Sequence, residues 1–228
     1  MPLSALRSPI AERFHEVDLF LTDVGLRESA DPLVKDEAVV RIQRGMFFVH
    51  LYACFEYAVG ESFGRLALNI SSRGVSLSHL SSPMHTVALD GLLTSLQTNT
   101  NWRKKFSKRV ELCRTLDSLD QATIADTVLA NSMPNISSAI LAIAFQAYGI
   151  RNPPLLTPAI GGYIDEVVNK RNAIAHGRES PLSVGNVKVL ELRKRLASLQ
   201  DQSTYVVDCI NEFLNKKHFV NTWHRKKY

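Results

Sequence analysis

Apolar residues recur at three- and four-residue intervals through most of the chain, and strand-like alternation is absent. Ile10, Phe14, Val17, Leu21 and Val24 predict a first helix with Pro9 in its first turn, running through about Leu26 with Gly25 at its end. Residues 1–8 read as a loose lead, and Asp31-Pro32 as a turn. A long helix follows over 36–69. Its middle, Met46 to Phe55, is apolar almost all round, which predicts a central helix wet on no side. Gly45, Gly60 and Gly64 cost up to ~1 kcal/mol each against alanine, so each predicts a close approach by a neighbour.

The serine-rich stretch 70–83 reads as a loop, followed by short helices over 84–97 and 102–119. A helical piece over 119–133 is broken by Met133-Pro134, and Asn135 or Ser137 then starts a helix that ends at Gly149. After a proline-rich turn at 151–158, Thr157 is placed to cap a helix with Pro158 in its first position. That helix shows an apolar face of Ile164, Val167, Val168, Ile174 and Ala175; Gly177 stops it and Pro181 keeps it stopped. Ser183 can cap a last helix, 184–217, with an apolar stripe of Val187, Leu190, Leu192, Leu196, Leu199, Val206, Cys209, Ile210, Phe213 and Leu214. The consistent architecture is all-α: an antiparallel helical bundle in a single domain over 1–228. Its core helices are 36–69, 134–149, 158–177 and 184–217, with 70–132 as an additional helical insertion.

Composition narrows this only a little. A chain of 228 residues, 45% of them hydrophobic, has enough core to need no disulfide or metal staple. The net charge of +5 permits a nucleic-acid partner without demanding one. Cys54, Cys113 and Cys209 are far apart and odd in number, and read as reduced core thiols of a cytoplasmic protein. The first residues lack the apolar stretch of a signal peptide, and the apolar runs 46–59 and 139–150 fall short of the roughly 20 residues a membrane span needs.

Candidate chemistry gathers at the end of the helix over 158–177, where Arg171, Asn172 and His176 occupy the last two turns. Asn172 and His176 share a face, and the Arg171 side chain is long enough to reach back toward His176. A helix C-terminus favours cations, and histidine is the usual proton shuttle near neutral pH. Arginine is the usual clamp for a phosphate whose charge grows in a transition state. The trio suffices for metal-free cleavage of RNA by its own 2′-hydroxyl. The plainer reading is a helix closed by a basic residue, a histidine and a glycine. Other catalytic signatures are absent: no Gly-rich phosphate loop, no G-x-S-x-G, no His-Glu-x-x-His.

Glu56 and His50 interrupt the apolar middle of the long helix. A carboxylate there needs a partner. Two readings stand for Glu56: a structural bond to a helix end or a tyrosine, or an orienting contact to Arg171 or His176. His50 reads as a core histidine. His79 and His85 lack companion carboxylates at metal-ligand spacing, so no metal and no cofactor are expected. In W-R-K-K-F-S-K-R, 102–109, the default is an amphipathic helix with Trp102 and Phe106 inward and the charges in water. The alternative is an RNA-binding run in which Arg103, Lys104 and Lys105, together with Arg178 beside the motif, meet phosphates. The tail K-K-H-F-V-N-T-W-H-R-K-K-Y reads by default as solvated charge.

The stretch V-V-N-K-R-N-A-I-A-H-G resembles the Arg-x4–6-His signature of the HEPN families. F-F-V-H-L-Y-A-C-F-E-Y-A-V at 47–59 resembles the early helix with an embedded glutamate in stand-alone prokaryotic HEPN proteins of the MAE and RiboL-PSP type. P-N-I-S-S-A-I-L-A-I-A-F-Q-A-Y-G-I at 134–150 resembles the segment that precedes their motif helix. The likeness covers most of 36–217 and is poorest over 70–132. It implies Arg171 and His176 as catalytic residues, Asn172 and Glu56 as supporting ones, and a homodimer in which two motif helices share one cleft. It implies RNA as substrate, and a toxin or anti-phage role, in some cases restrained by an inhibitory protein partner. Gly177 follows His176 where the toxin–nucleotidyltransferase branch carries x-Tyr. Several relatives of this type are thought to be non-catalytic RNA- or nucleotide-binding or dimerisation modules, which is the alternative function.

Overall fold

All five apolar side chains that predict the first helix are buried in α1 (Arg7–Leu26) of the computed structural model, which describes residues 3–31, 34–129, 133 and 135–228. Pro32, Pro134 and the end of the 119–133 stretch, 130–132, lie outside those residues. The lead is not loose from residue 3 onward. Leu3–Leu6 form a 3-10 turn that runs straight into α1, and Leu3 and Leu6 are buried in the main core.

The long helix is α2 (Ala38–Ser72), and it packs against α1, α7 (Pro158–Ala175), α8 (Pro181–Val184) and α9 (Val189–Asn215). Phe47, Phe48, Leu51, Tyr52, Cys54 and Phe55 are buried as the pattern requires. The helix does have a wet side, since Met46 and Ala53 are exposed. Gly45 is a true close approach: a Cβ there would lie 2.0 Å from the Pro181 carbonyl oxygen. Its counterpart Gly185 would place a Cβ 1.7 Å from the Arg41 carbonyl oxygen, so α2 and the turn of α8 meet backbone to backbone. Gly64 faces the Asp126 carbonyl, whereas Gly60 has open space beside it, contrary to the expectation for all three.

The segment between α2 and Ser138 holds α3 (His85–Ala88), α4 (Asp90–Thr98) and α5 (Trp102–Leu116), with 3-10 turns at Leu77–His79 and Ser82–Met84. Its apolar residues Val75, Leu77, Met84, Val87, Ala122 and Ile124 join the same cluster as α1 and α9. Of the helical piece expected over 119–133, residues 119–125 are instead irregular and pair with the 3-10 turn: the Leu77 amide donates to Asp120, and Ser76 bridges Gln121. Among the described residues the backbone forms two isolated β-bridges and no strand.

Ser137 caps α6 (Ser138–Tyr148) by accepting from the Ile140 amide, and Gly149 ends it in the left-handed region at φ 75°. Pro158 opens α7 as expected, although the Thr157 side chain makes no capping bond. Pro181 does not merely keep the chain out of helix. It begins the short α8, which Ser180 caps; Ser183 lies inside it, and the last helix starts only at Val189 with no side-chain cap. In α9 the stripe is buried except for Leu190, which is exposed, and Val187, which is half-buried before the helix starts.

Three further expectations are corrected. Cys113 is exposed while Cys54 and Cys209 are buried. Trp102 and Phe106 point outward at 66% and 56% exposure, because α5 is held to the rest through the half-buried Leu112 and Leu116 of its last two turns. The tail is docked rather than solvated: Phe219 and Val220 are buried, and the Tyr228 hydroxyl lies 2.8 Å from His79 Nδ1. The buried His79 ring also stacks on His224, 3.7 Å between centroids. Burial, then His224 and Lys227, push the His79 pKa down, which favours the neutral ring that this stack needs.

Charges brace the other end. Arg44, 2% exposed, donates to Glu28 at 2.9 Å and Asp36 at 2.8 Å, and Lys188 reaches Asp36 at 3.0 Å. These bonds tie the start of α2 to the end of α1 and the start of α9.

Candidate functional site

The last turn of α7 is closed by backbone bonds. The His176 amide donates to Asn172, Gly177 to Ile174 and Arg178 to Ala173, with Gly177 in the left-handed region at φ 68°. This closure leaves His176 exposed at the helix end, and its imidazole takes no hydrogen bond among the described residues.

Arg171, one turn earlier, is half-buried and held on three sides. Its Nη1 donates to Asn172 Oδ1 at 2.8 Å and to Asn135 Oδ1 at 3.2 Å. The guanidinium lies over the Tyr52 ring, 4.8 Å from the centroid, within cation–π range. Tyr52 belongs to α2 and is itself fixed. Its hydroxyl donates to Glu56 Oε1 at 2.9 Å and accepts from the Ile136 amide at 3.0 Å. Burial, then the hydrogen bond to the Glu56 carboxylate, push the phenol's pKa well up, so it stays a donor.

Asn135 carries backbone strain, with φ 59° on a residue that has a Cβ. The strain is held in place from both sides. Ile136 is bonded to Tyr52, and Ser138 gives both its amide and its hydroxyl to Asp165 of α7, at 2.8 and 2.7 Å. The turn before α6 is thus pinned to α2 and to the motif helix, and the Asn135 amide oxygen is delivered to Arg171.

Only Nη1 of the guanidinium is committed. Nε and Nη2 take no hydrogen bond among the described residues. A groove of about 500 Å³ runs along α2 beside Glu56, lined also by Tyr57, Arg65, Asp126 and Leu129.

The structure therefore brings Arg171 and Asn172 together and bonds Glu56 to Tyr52, whose ring lies against Arg171. Of the two readings of that carboxylate, the structure gives the bond to a tyrosine; among the described residues Glu56 makes no hydrogen bond or ion pair with Arg171 or His176. Arg171 does not turn back to His176 for a partner; its hydrogen bonds go to the two asparagines. Arg178 is exposed beside the motif. Arg103, Lys104 and Lys105 lie on α5, which packs against α4 and the Leu77–His79 turn. His50 is half-buried edge-on to Phe20, and His85 is bonded to the Leu77 carbonyl. Among the described residues no cluster of three or more His, Cys, Asp or Glu could hold a metal ion. Sequence reasoning missed Tyr52 and Asn135. Tyr52 stands four residues before Glu56 on one helix face, a spacing that could have paired them.

The sequence model of the RiboL-PSP-HEPN family matches residues 10–218, nearly the whole chain. The chain belongs to the RiboL-PSP-HEPN family. No curated protein and no solved structure gives a match. The all-α bundle is accordingly a HEPN-type fold, and membership points to an RNase-type or RNA-related function. No helix among the described residues is long and apolar enough to cross a membrane.

Proposed function

We propose that this HEPN protein is a metal-independent endoribonuclease, folded as one domain over its whole length, acting in the cytoplasm as a toxin or anti-phage effector. The observation that carries the reading is the half-held guanidinium of Arg171, one turn before an exposed imidazole at the end of the same helix. The 2′-hydroxyl attacks the adjacent phosphorus, forming a 2′,3′-cyclic phosphate and expelling the 5′-oxygen. Nε and Nη2 of Arg171 receive the charge that builds on the phosphate oxygens, and Asn172, Asn135 and Tyr52 keep the guanidinium from swinging away. His176 takes the 2′-hydroxyl proton. A second proton must reach the leaving 5′-oxygen, and one chain offers one imidazole at this end. We infer a homodimer in which the second copy's motif helix supplies it. An inhibitory protein partner covering that cleft would restrain the activity.

One observation favours a second reading, a non-catalytic RNA-binding module: Arg171 and His176 are not bonded to each other. An RNA cleavage assay in EDTA separates the two. Cutting that is lost in Arg171→Ala and His176→Ala, with fold and mass unchanged, supports the nuclease. Binding without cutting by the wild-type protein supports the module.

A further inference from the structure

We propose that the outward face of α5 is a docking surface for single-stranded RNA. Trp102, Phe106, Val110 and Cys113 lie three or four residues apart, so they form one stripe, and all four are exposed. No residue of α5 is buried, and its inner contacts come from Leu112 and Leu116. The stripe is thus an exposed apolar face that no other described residue covers.

Charge identifies the occupant. The helix carries six cations, Arg103, Lys104, Lys105, Lys108, Arg109 and Arg114, against the single carboxylate of Glu111. That surplus of five equals the net charge of the whole protein, +5, so the rest of the chain is balanced. Three of the cations stand in the first turn, where the helix dipole disfavours them and no acidic residue offsets them. Fold stability gives no reason for that placement, whereas a polyanion would be drawn by the cations and the dipole together.

The rings specify the kind of polyanion. Arg103 lies over Trp102, 5.6 Å from the ring centroid, and Arg109 over Phe106 at 5.0 Å. The two rings are 6.3 Å apart at an interplanar angle of 82°. Alternating rings and cations suit unstacked bases joined by phosphates. A protein interface would instead exclude lysine from its centre. Duplex RNA offers its base faces to neither ring. The choice of RNA over DNA rests on the ribonuclease reading; the surface itself does not.

The test uses the full chain with His176→Ala, so that RNA stays intact, and reads the anisotropy of a labelled 12-nucleotide oligo(U) or oligo(A). Trp102→Ala with Phe106→Ala should weaken binding about tenfold or more. Arg103→Gln, Lys104→Gln and Lys105→Gln together should make the slope of log affinity against log salt shallower by about 2. Trp102 fluorescence, in a Trp223→Phe background, should be quenched by the oligonucleotide. All replaced side chains are exposed except Lys105, which is half-buried, and circular dichroism checks that the fold is kept. Unchanged affinity and slope would overturn the proposal. So would unchanged RNA binding with altered mass in sedimentation, which would make the face a protein interface. Cleavage is measured separately on the His176 protein: binding through α5 without cutting sinks the nuclease and leaves this surface standing, and cutting that ignores α5 does the reverse.

Discussion

The Arg171 guanidinium rests 4.8 Å from the centre of the Tyr52 ring, and the hydroxyl of that ring is bonded to both Glu56 and the Ile136 amide. One side chain of α2 therefore supports the cation of α7 with its face and the turn before α6 with its edge. Any change at Tyr52 divides cleanly into these two duties.

Tyr52→Phe keeps the face and removes the edge. The Ile136 amide then loses its acceptor, which costs about 1–3 kcal/mol of stability. RNA cleavage per folded molecule should fall only a few-fold. Tyr52→Leu removes the face as well, and the cleavage rate should drop about tenfold further, in line with a half-buried cation–π contact. Urea denaturation and single-turnover cleavage read the two losses separately.

Asn135 allows a similar division. Asn135→Gly keeps the left-handed backbone without strain and deletes the amide that Arg171 reaches, so stability should hold or rise slightly while cleavage falls. Asn135→Ala should lower both, by about 1 kcal/mol in stability. Equal cleavage by Asn135→Gly and wild type would show that Asn172 alone suffices to hold the guanidinium.

Gly45→Ala should be among the most damaging small substitutions in the chain. The added methyl meets the Pro181 carbonyl 2.0 Å away, and backbone cannot swing aside as a side chain can. A loss of about 3 kcal/mol is expected. Gly60→Ala on the same helix meets nothing within 4 Å and should be neutral or slightly stabilising. Melting temperatures of the pair test the contrast.

Acid stability should depend on Asp36. Burial works against its carboxylate, but the Ser29 amide, Lys188 and Arg44 outweigh that and hold its pKa at about 2. The unfolded carboxyl titrates near ~3.9. The unfolded chain therefore takes up the proton first. The stabilisation is fully present above about pH 4 and is lost as pH falls toward 2. Asp36→Asn should cost about 3 kcal/mol at neutral pH, by leaving Arg44 buried with Glu28 as its remaining partner, and should flatten the pH dependence in that window. Denaturation midpoints at pH 7, 4 and 3 give the comparison.

The helices and most of the core were legible in the sequence because burial follows periodicity: every buried residue of α1 was predicted from its spacing. The motif helix and its end were equally plain, since proline and glycine mark backbone states that few other residues share. What escaped is contact between distant segments. Neither the bond from Arg171 to Asn135 nor the ring beneath Arg171 leaves a local trace in composition. The outward aromatics of α5 were misread for a related reason. The apolar residues of that helix form one broad sector, and spacing alone does not say that only the Leu112 and Leu116 side of it meets the core. The irregular run before Val128 gained its form from pairing with the Leu77–His79 turn, which outweighs a modest helical preference.

The paired glycines of α2 and the α8 turn carry a mechanical consequence. With Arg41 and Gly45 pressed against Pro181 and Gly185 main chain to main chain, there is no side-chain cushion for the two segments to slide over. The stretch just beyond His176 cannot act as a hinge without dragging the start of the central helix along. On the nuclease reading proposed above, the side chains left to move at this end are those of the exposed His176 and Arg178, over a stationary frame in which Arg171 is itself held.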